Sequence, residues 1–315
     1  MTAKRVLTVA LNAAVDVAWI IDDFGVGKIN TVREATRLAG GKANNVARVL
    51  TTLGPRVTAT GFAGGSAGQF IQADLRRNGI EPDYEPVEGE NRTCPAIIDP
   101  VNGTLTEVRE KGPVLTEADG ERFLARFRRL VAHADLVVIS GSLPPGLPAD
   151  YYRTLVREAY STAQVRTILD ASGKALREAL PAQPYLVKPN QDELAEWAGR
   201  PLEDEADILA AARSMMESGP LVVAVSLGAR GLLLVSPEGA WRAVPPAIKP
   251  VNTVGSGDSL VAGFAAGLML ELPAEEVLRT AVACGTANAL TTGVAVVNPM
   301  DLATIRPQVV VERIG

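Results

Sequence analysis

Thr253-Val254-Gly255-Ser256-Gly257-Asp258-Ser259 leads straight into an uncharged, proline-free run, Leu260 to Leu270. An apolar run of that length reads as a helix buried on most sides. It is too short for a bilayer, which takes about 20 apolar residues. The G-S-G ahead of it has almost no side-chain bulk, so backbone N–H groups there can turn toward one point. A helix start adds its own unpaired N–H groups and the positive end of the dipole. Loop and helix start together make an anion site. Asp258 then sets a carboxylate beside that site. It is either a first-turn acid of the kind helix starts favour, or a general base next to a loop that stabilises developing negative charge. The second pairing is what phosphoryl transfer needs.

Outward from this stretch, apolar runs alternate with helical patterns. Residues 6–11, 57–62, 136–140, 166–169, 185–187, 221–226 and 231–235 read as strands. Helices are predicted at about 69–78, 149–163, 175–180, 191–198, 203–218, 259–270 and 274–292. Continuous apolar strands between helices define an α/β protein with a mostly parallel sheet covered on both faces. Ligands of such sheets sit at the C-terminal strand ends. Those ends carry Asn12, Asp16, Ser140-Gly141-Ser142, Asp170, Lys188-Pro189-Asn190 and Ser226-Leu227-Gly228. Three further stretches, 17–21, 83–99 and 104–108, do not belong to strand–helix units, and they are expected to form a small separate sheet. The expected organisation is one domain over 1–315, with a discontinuous β appendage at about 13–38 and 82–112.

Two other stretches point at the same edge. Gly40-Gly41-Lys42-Ala43-Asn44-Asn45 opens a helix whose Val46, Val49, Leu50 and Leu53 keep helical spacing. A lysine in the first turn works against the dipole, so Lys42 asks for an anionic or polar ligand; the alternative is a solvated lysine after a glycine turn. Asn190-Gln191-Asp192-Glu193 has the spacing of a capping box. Asn190 and Glu193 could equally order Mg²⁺-bound water near phosphates.

Composition narrows the chemistry. The net charge of −5 argues against a general nucleic-acid surface. Cys94 and Cys284 lie far apart without metal-ligand spacing, which fits a reducing cytoplasm. The N-terminal residues lack a signal-peptide pattern, so a cytoplasmic location is expected. With His133 as the single histidine, a multi-His metal site is impossible, and acid–base chemistry falls to carboxylates or lysine. No Walker loop occurs, and the glycines at 64–68 do not match a dinucleotide fingerprint.

G-G-K-A-N-N-V-A at 40–47 and N-T-V-G-S-G-D-S at 252–259 together resemble the two signatures of the ribokinase-like, phosphofructokinase-B carbohydrate kinases. S-G-S-L-P at 140–144, K-P-N-Q-D-E at 188–193 and S-L-G-A-R-G at 226–231 follow in family order, so the resemblance covers the whole chain. It implies a three-layer α/β core with a β-sheet lid, phosphorylating a sugar hydroxyl with ATP and Mg²⁺. By that resemblance Asp258 is the catalytic base, and Gly255, Ser256 and Gly257 form the anion hole. Asp16, Gly40, Gly41, Lys42 and Asn45 match sugar-binding positions, with Ser140 and Gly141 on the same side. Lys28 and Arg92 match positions that hold the substrate's own phosphate. Asn190 and Glu193 match the element that orders Mg²⁺ through water. Lys188, Ser226, Gly228, Gly231 and Asn288 match the nucleotide side.

The opening A-L-N-A-A-V-D and the N-T-V-G-S-G-D form look most like the branch of 1-phosphofructokinase and tagatose-6-phosphate kinase. That branch implies a phosphosugar kinase, with fructose 1-phosphate first and tagatose 6-phosphate or fructose 6-phosphate as alternatives. A non-catalytic sugar or nucleotide sensor is the reading from a different class. Three departures bear on the substrate: Ala13 stands where the branch has proline, Thr31 where it has arginine, and Arg109 where it has asparagine. A lid sheet standing alone would expose strand edges, so two lids are expected to pair in a homodimer.

Overall fold

The computed structural model describes residues 4–315, and two sheets organise it. The larger contains β1 (Arg5–Ala10), β4 (Arg56–Ala63), β9 (Leu136–Ser140), β10 (Arg166–Asp170), β11 (Leu186–Val187) and β12 (Val222–Ser226), all parallel. Two dipeptide strands, β5 (Glu81–Pro82) and β6 (Glu85–Pro86), extend its edge beside β4. At the other edge β13 (Leu232–Ser236), β14 (Gly239–Val244) and β15 (Val310–Arg313) pair antiparallel. The second sheet has the order β3 (Glu34–Gly40), β2 (Ala14–Ile20), β7 (Arg92–Asp99), β8 (Thr104–Glu107).

Strand alternation sorts the core into two layers. From β1, Val6 and Ala10 face α1 (Lys42–Leu53), α2 (Gly65–Arg77), α8 (Ser256–Met269) and α9 (Ala274–Ala289), while Leu7 and Val9 face the opposite layer. That layer contains α3 (Glu117–Val131), α4 (Tyr151–Ala163), α5 (Gly173–Ala179), α6 (Gln191–Ala198) and α7 (Glu205–Glu217). A last helix, α10 (Pro299–Ile305), precedes β15. This is the three-layer α/β architecture implied by the resemblance. Among the described residues no helix is long and apolar enough to cross a membrane.

Local expectations differ from the structure at several points, each for a physical reason. The stretch 231–235 is expected among the parallel strands, yet β13 runs antiparallel. Only Pro237 and Glu238 separate it from β14, and a two-residue connection can join only antiparallel neighbours. The stretch 83–99 is not one strand. Pro82, Pro86 and Gly89 interrupt the ladder, so residues 81–86 pair with the main sheet and the second sheet resumes at Arg92. Its strands therefore fall within 14–40 and 92–107. Helix α8 begins three residues earlier than expected, at Ser256, which draws Asp258 into its first turn.

Candidate active site

Gly255 adopts φ +83°, the left-handed region that favours glycine. It turns the chain into α8 and leaves the amides of Gly255, Gly257 and Asp258 without a partner among the described residues. Asn288 of α9 lies beneath this turn, its Nδ2 donating to the Val254 carbonyl and the Ser256 hydroxyl, both at 3.0 Å. Its Oδ1 accepts from the Val296 amide. Asn288 is fully buried and outside the cavity lining. Glycine also lets the helices meet, since a Cβ at Gly285 would stand 3.1 Å from the Ser256 carbonyl oxygen.

Asp258 is buried, and its Oδ2 accepts from Asn45 Nδ2 at 2.8 Å. Burial is the main force on its carboxyl, and the neighbouring Asp170 adds to it. The group is pushed up to about 7, with Lys42, Asn45 and Lys188 pulling the other way. A carboxyl poised near neutrality suits proton transfer at physiological pH.

Asp170, at the end of β10, gathers the cations. Lys42 Nζ stands 3.5 Å from its Oδ2 and Lys188 Nζ 3.3 Å from its Oδ1. Ser140 Oγ donates to Oδ2 at 3.0 Å. Burial pushes the Asp170 carboxyl up, but Lys188, Lys42 and Ser140 outweigh it and hold the group below the usual range. The lysine that sequence placed against the helix dipole thus has a resident anion, and the Coulomb field of Asp170 raises its ammonium.

The Gly40–Gly41 turn fits around Asp16. A Cβ at Gly40 would fall within 2.3 Å of the Asp16 carboxylate, so glycine there is a matter of space. Burial raises the Asp16 carboxyl, and Arg48 and Arg92 oppose that rise. Ala13 is buried against Gly41, whose Cβ would lie 3.2 Å from the Ala13 Cα.

These groups share one cavity of about 1,110 Å³. That is slightly above the usual range for a small-ligand pocket, about 300–1,000 Å³. Its lining includes Asp16, Gly41, Lys42, Asn45, Arg92, Ser140 and Gly141, together with Lys188, Asn190, Glu193, Ser226, Gly228 and Gly231, and Gly255, Ser256, Gly257 and Asp258. Arg109 also lines it, paired with Glu107 at 2.6 Å. Lys28 does not; it sits in the exposed turn between β2 and β3, as does Thr31. Asn190 and Glu193 form a complete capping box at the start of α6. Among the described residues no three His, Cys, Asp or Glu side chains are placed to hold a metal by themselves.

Sequence reasoning noticed Asp170 only as a strand-end residue and missed Arg48 altogether. An acid closing a buried strand was the available signal for the first. For the second there was none, because Arg48 shares its helix face with Asn44, Asn45, Thr51 and Thr52 and reads as part of a polar face.

A near-neutral carboxyl beside free backbone amides, with paired ammoniums across the same cavity, is chemistry for moving a phosphoryl group onto a hydroxyl. On a three-layer α/β fold it defines a small-molecule kinase. The sequence matches the pfkB family of carbohydrate kinases over residues 10–300. It is 38% identical over 288 residues to a Staphylococcus epidermidis protein named tagatose-6-phosphate kinase, covering 90% of this chain and 92% of that one. The fold is similar to Escherichia coli phosphofructokinase-2 in complex with potassium, at TM-score 0.90 and 31% identity, over 98% of this chain and 99% of that one. It is also similar to a Thermotoga maritima protein described as a possible 1-phosphofructokinase, at TM-score 0.83 and 29% identity, over 99% and 100% of the two chains. The chain belongs to the pfkB family, and it is an ATP-dependent carbohydrate kinase.

Proposed function

We propose that the chain is a phosphosugar kinase acting on a ketohexose monophosphate. The observation that carries this reading is the pair Arg92, at the start of β7, and Arg109, two residues past the end of β8, lining the same cavity as Asp258. Two guanidiniums in a sugar pocket match a phosphate better than a neutral hydroxyl. The relative named tagatose-6-phosphate kinase brings tagatose 6-phosphate forward as the first acceptor to test, ahead of fructose 1-phosphate, which the sequence resemblance placed first.

In this mechanism Asp16, Lys42 and the Gly40–Gly41 turn orient the sugar, with Ser140 and Gly141 beside them. Ser226, Gly228, Gly231 and Lys188 face the nucleotide. Asp258 takes the proton of the attacking hydroxyl as its oxygen bonds to the γ-phosphorus and the bond to ADP breaks. The free amides of Gly255 and Gly257 receive the developing charge on the phosphoryl oxygens. Among the described residues the carboxylates lining the cavity do not make a three-acid metal cage. Mg²⁺ would then be held chiefly by nucleotide phosphates, and Asn190 and Glu193 are the residues that would order its water. The ion supplies charge neutralisation on the nucleotide.

The second sheet serves as the lid, and two lids pair in a homodimer. Among the described residues its outer strands β3 and β8 have unpaired edges, and the β2–β3 turn exposes Val26 (92%) and Ile29 (100%). Light scattering at micromolar concentration giving only monomer would overturn the pairing. The free cysteines suit a cytoplasmic location.

The deciding assay is ADP release from Mg-ATP with tagatose 6-phosphate, fructose 1-phosphate, fructose 6-phosphate, free fructose, ribose and adenosine. A kcat/KM at least about 100-fold higher for one ketohexose phosphate than for free fructose is the expected result. Equal turnover of free and phosphorylated sugars would remove the phosphate role of Arg92 and Arg109. Binding without turnover would return the sensor reading.

A further inference from the structure

Arg48 lies one turn after Asn45 on α1, and its guanidinium touches three separate segments. Nη1 donates to Asn45 Oδ1 at 3.0 Å and to the Val294 carbonyl at 3.3 Å, and Nη2 donates to the Ala39 carbonyl. Each contact leads to the site. Asn45 holds the Asp258 carboxylate. Val294 precedes Ala295, against which Gly255 is packed. Ala39 precedes the Gly40–Gly41 turn and Lys42.

An asparagine amide has a donor end and an acceptor end, and either could face a neighbour of suitable polarity. A guanidinium only donates. With Arg48 on the oxygen end, the Asn45 NH₂ must point at Asp258. Turned over, the amide would set its oxygen against the carboxylate and its NH₂ against the guanidinium. One carboxylate oxygen of Asp258 is thereby committed to Asn45, and the other is left to take a proton.

The anchoring of α1 does not explain Arg48, because Val46, Val49 and Leu50 bury that helix without it. Arg48 makes no direct ion pair among the described residues, and its Nε is buried without a partner. An orphaned buried donor costs stability. Burial lowers its guanidinium, and the fields of Asp74, Asp16 and Asp258 oppose that.

We propose that Arg48 is a positioning residue: through Asn45 it fixes which oxygen of Asp258 receives the hydroxyl proton, and it ties the sugar-side turn to the loop behind the glycine nest. This rests on the reading of Asp258 as the base. Besides Arg48, the groups around Asp258 are Lys42 and Asn45 from α1, Asp170 at the end of β10 and Lys188 after β11.

The test is a cycle of Arg48→Met, Asn45→Ala and the double variant in the full chain, with pH profiles of kcat. Arg48→Lys and Asp258→Asn run beside them. Arg48→Met should lower kcat by about 10- to 100-fold through misplacement of the base, with KM for ATP within about threefold. Its acid limb should move to higher pH, because a cation near Asp258 is gone. In the Asn45→Ala background the same substitution should cost at least about fivefold less, the mark of coupled residues. Arg48→Lys keeps the charge and should restore the acid limb while recovering only part of kcat. Should Arg48→Met fail to fold, Arg48→Lys with and without Asn45→Ala carries the same cycle. Additive losses, or a lower melting temperature with an unmoved acid limb, would overturn the proposal. Near-normal turnover by Asp258→Asn would instead overturn the base assignment. An inactive Asp258→Asn beside additive Arg48 effects would sink this inference alone.

Discussion

Gly263 of α8 meets Ala281 of α9 so closely that a Cβ at Gly263 would stand 2.5 Å from the Ala281 Cα. The contact sets the distance between the two helices that frame the glycine nest. At Gly267, one turn on, a Cβ would meet Val277 at 3.1 Å, a gap that a small shift relieves. Helix propensity alone favours alanine over glycine by about 1 kcal/mol. At Gly263 the backbone clash outweighs that gain, so Gly263→Ala should destabilise by about 2 kcal/mol or more. Gly267→Ala should stay within about 1 kcal/mol of the parent, where propensity and crowding roughly cancel. Urea denaturation of the two variants checks the ranking. Equal midpoints would mean the helices are not held at Gly263.

Asp258→Asn separates catalysis from stability. The variant keeps an acceptor for Asn45 Nδ2 but cannot take a proton, so kcat should fall by at least about 1,000-fold. Stability should move the other way. The native carboxyl titrates near 7 and an unfolded one near 3.8. Between those values the native state binds more protons, so wild-type stability falls as pH rises. The asparagine variant lacks this loss. Its advantage over wild type should be small near pH 4, grow through pH 7 and then level off, at about 4 kcal/mol at most. Denaturation at pH 4.5 and pH 8 measures the difference. A gap that shrinks as pH rises would show that the Asp258 carboxyl is not raised in the fold.

Asp170→Asn tests the cation cluster. The fold holds this carboxyl below its usual range, so its contribution is present above about pH 4 and lost as pH falls through the native value. Replacing it leaves Lys42 and Lys188 as neighbouring cations with no shared anion. Breaking a buried pair in this way costs about 3 kcal/mol, and the loss should shrink toward pH 3. Removing the anion also frees Asp258 from one of the forces that raise it. The acid limb of kcat should therefore move to lower pH, opposite to the shift expected of Arg48→Met. An unmoved limb would mean Asp170 and Asp258 do not sense each other.

What sequence could and could not convey follows from the range of the contacts. The start of α8 was legible because glycines, an acid and an uncharged run lie within sixteen residues, 255–270. The Gly40–Gly41–Lys42 turn was legible for the same reason. The strand Glu34–Gly40 was not, since E-A-T-R-L-A-G shows little apolar alternation and its first four residues are exposed. Residues 310–313 were missed because β15 is an edge strand with mostly exposed side chains. The Asn45–Asp258 bond spans 213 positions, and no local pattern encodes it. For Asn190 and Glu193 the capping box and the expected cation role share one spacing, so sequence alone could not choose between them. Asn288 is expected on the nucleotide side; in the fold it braces Val254 and Ser256 from beneath, a contact across more than thirty positions that no local pattern encodes.

Gly255→Ala isolates the nest from the base. At φ +83° an alanine is strained, and its Cβ would sit 2.5 Å from the Ala295 amide nitrogen. Ala295 is itself left-handed, with φ +51°, and buried, so it has little freedom to retreat. The chain must then relax at the turn, which moves the amides of Gly257 and Asp258 off the phosphoryl position. Losing one such donor costs about 100-fold or more in kcat. Asp258 keeps Asn45 and its burial, so the acid limb should stay within about 0.3 pH unit of wild type. The expected signature is a large fall in kcat with an unshifted pH profile, read in the same ADP-release assay. A shifted profile with modest loss would mean Gly255 serves the carboxylate and not the amides, and the charge-stabilising loop would have to be sought elsewhere along the cavity.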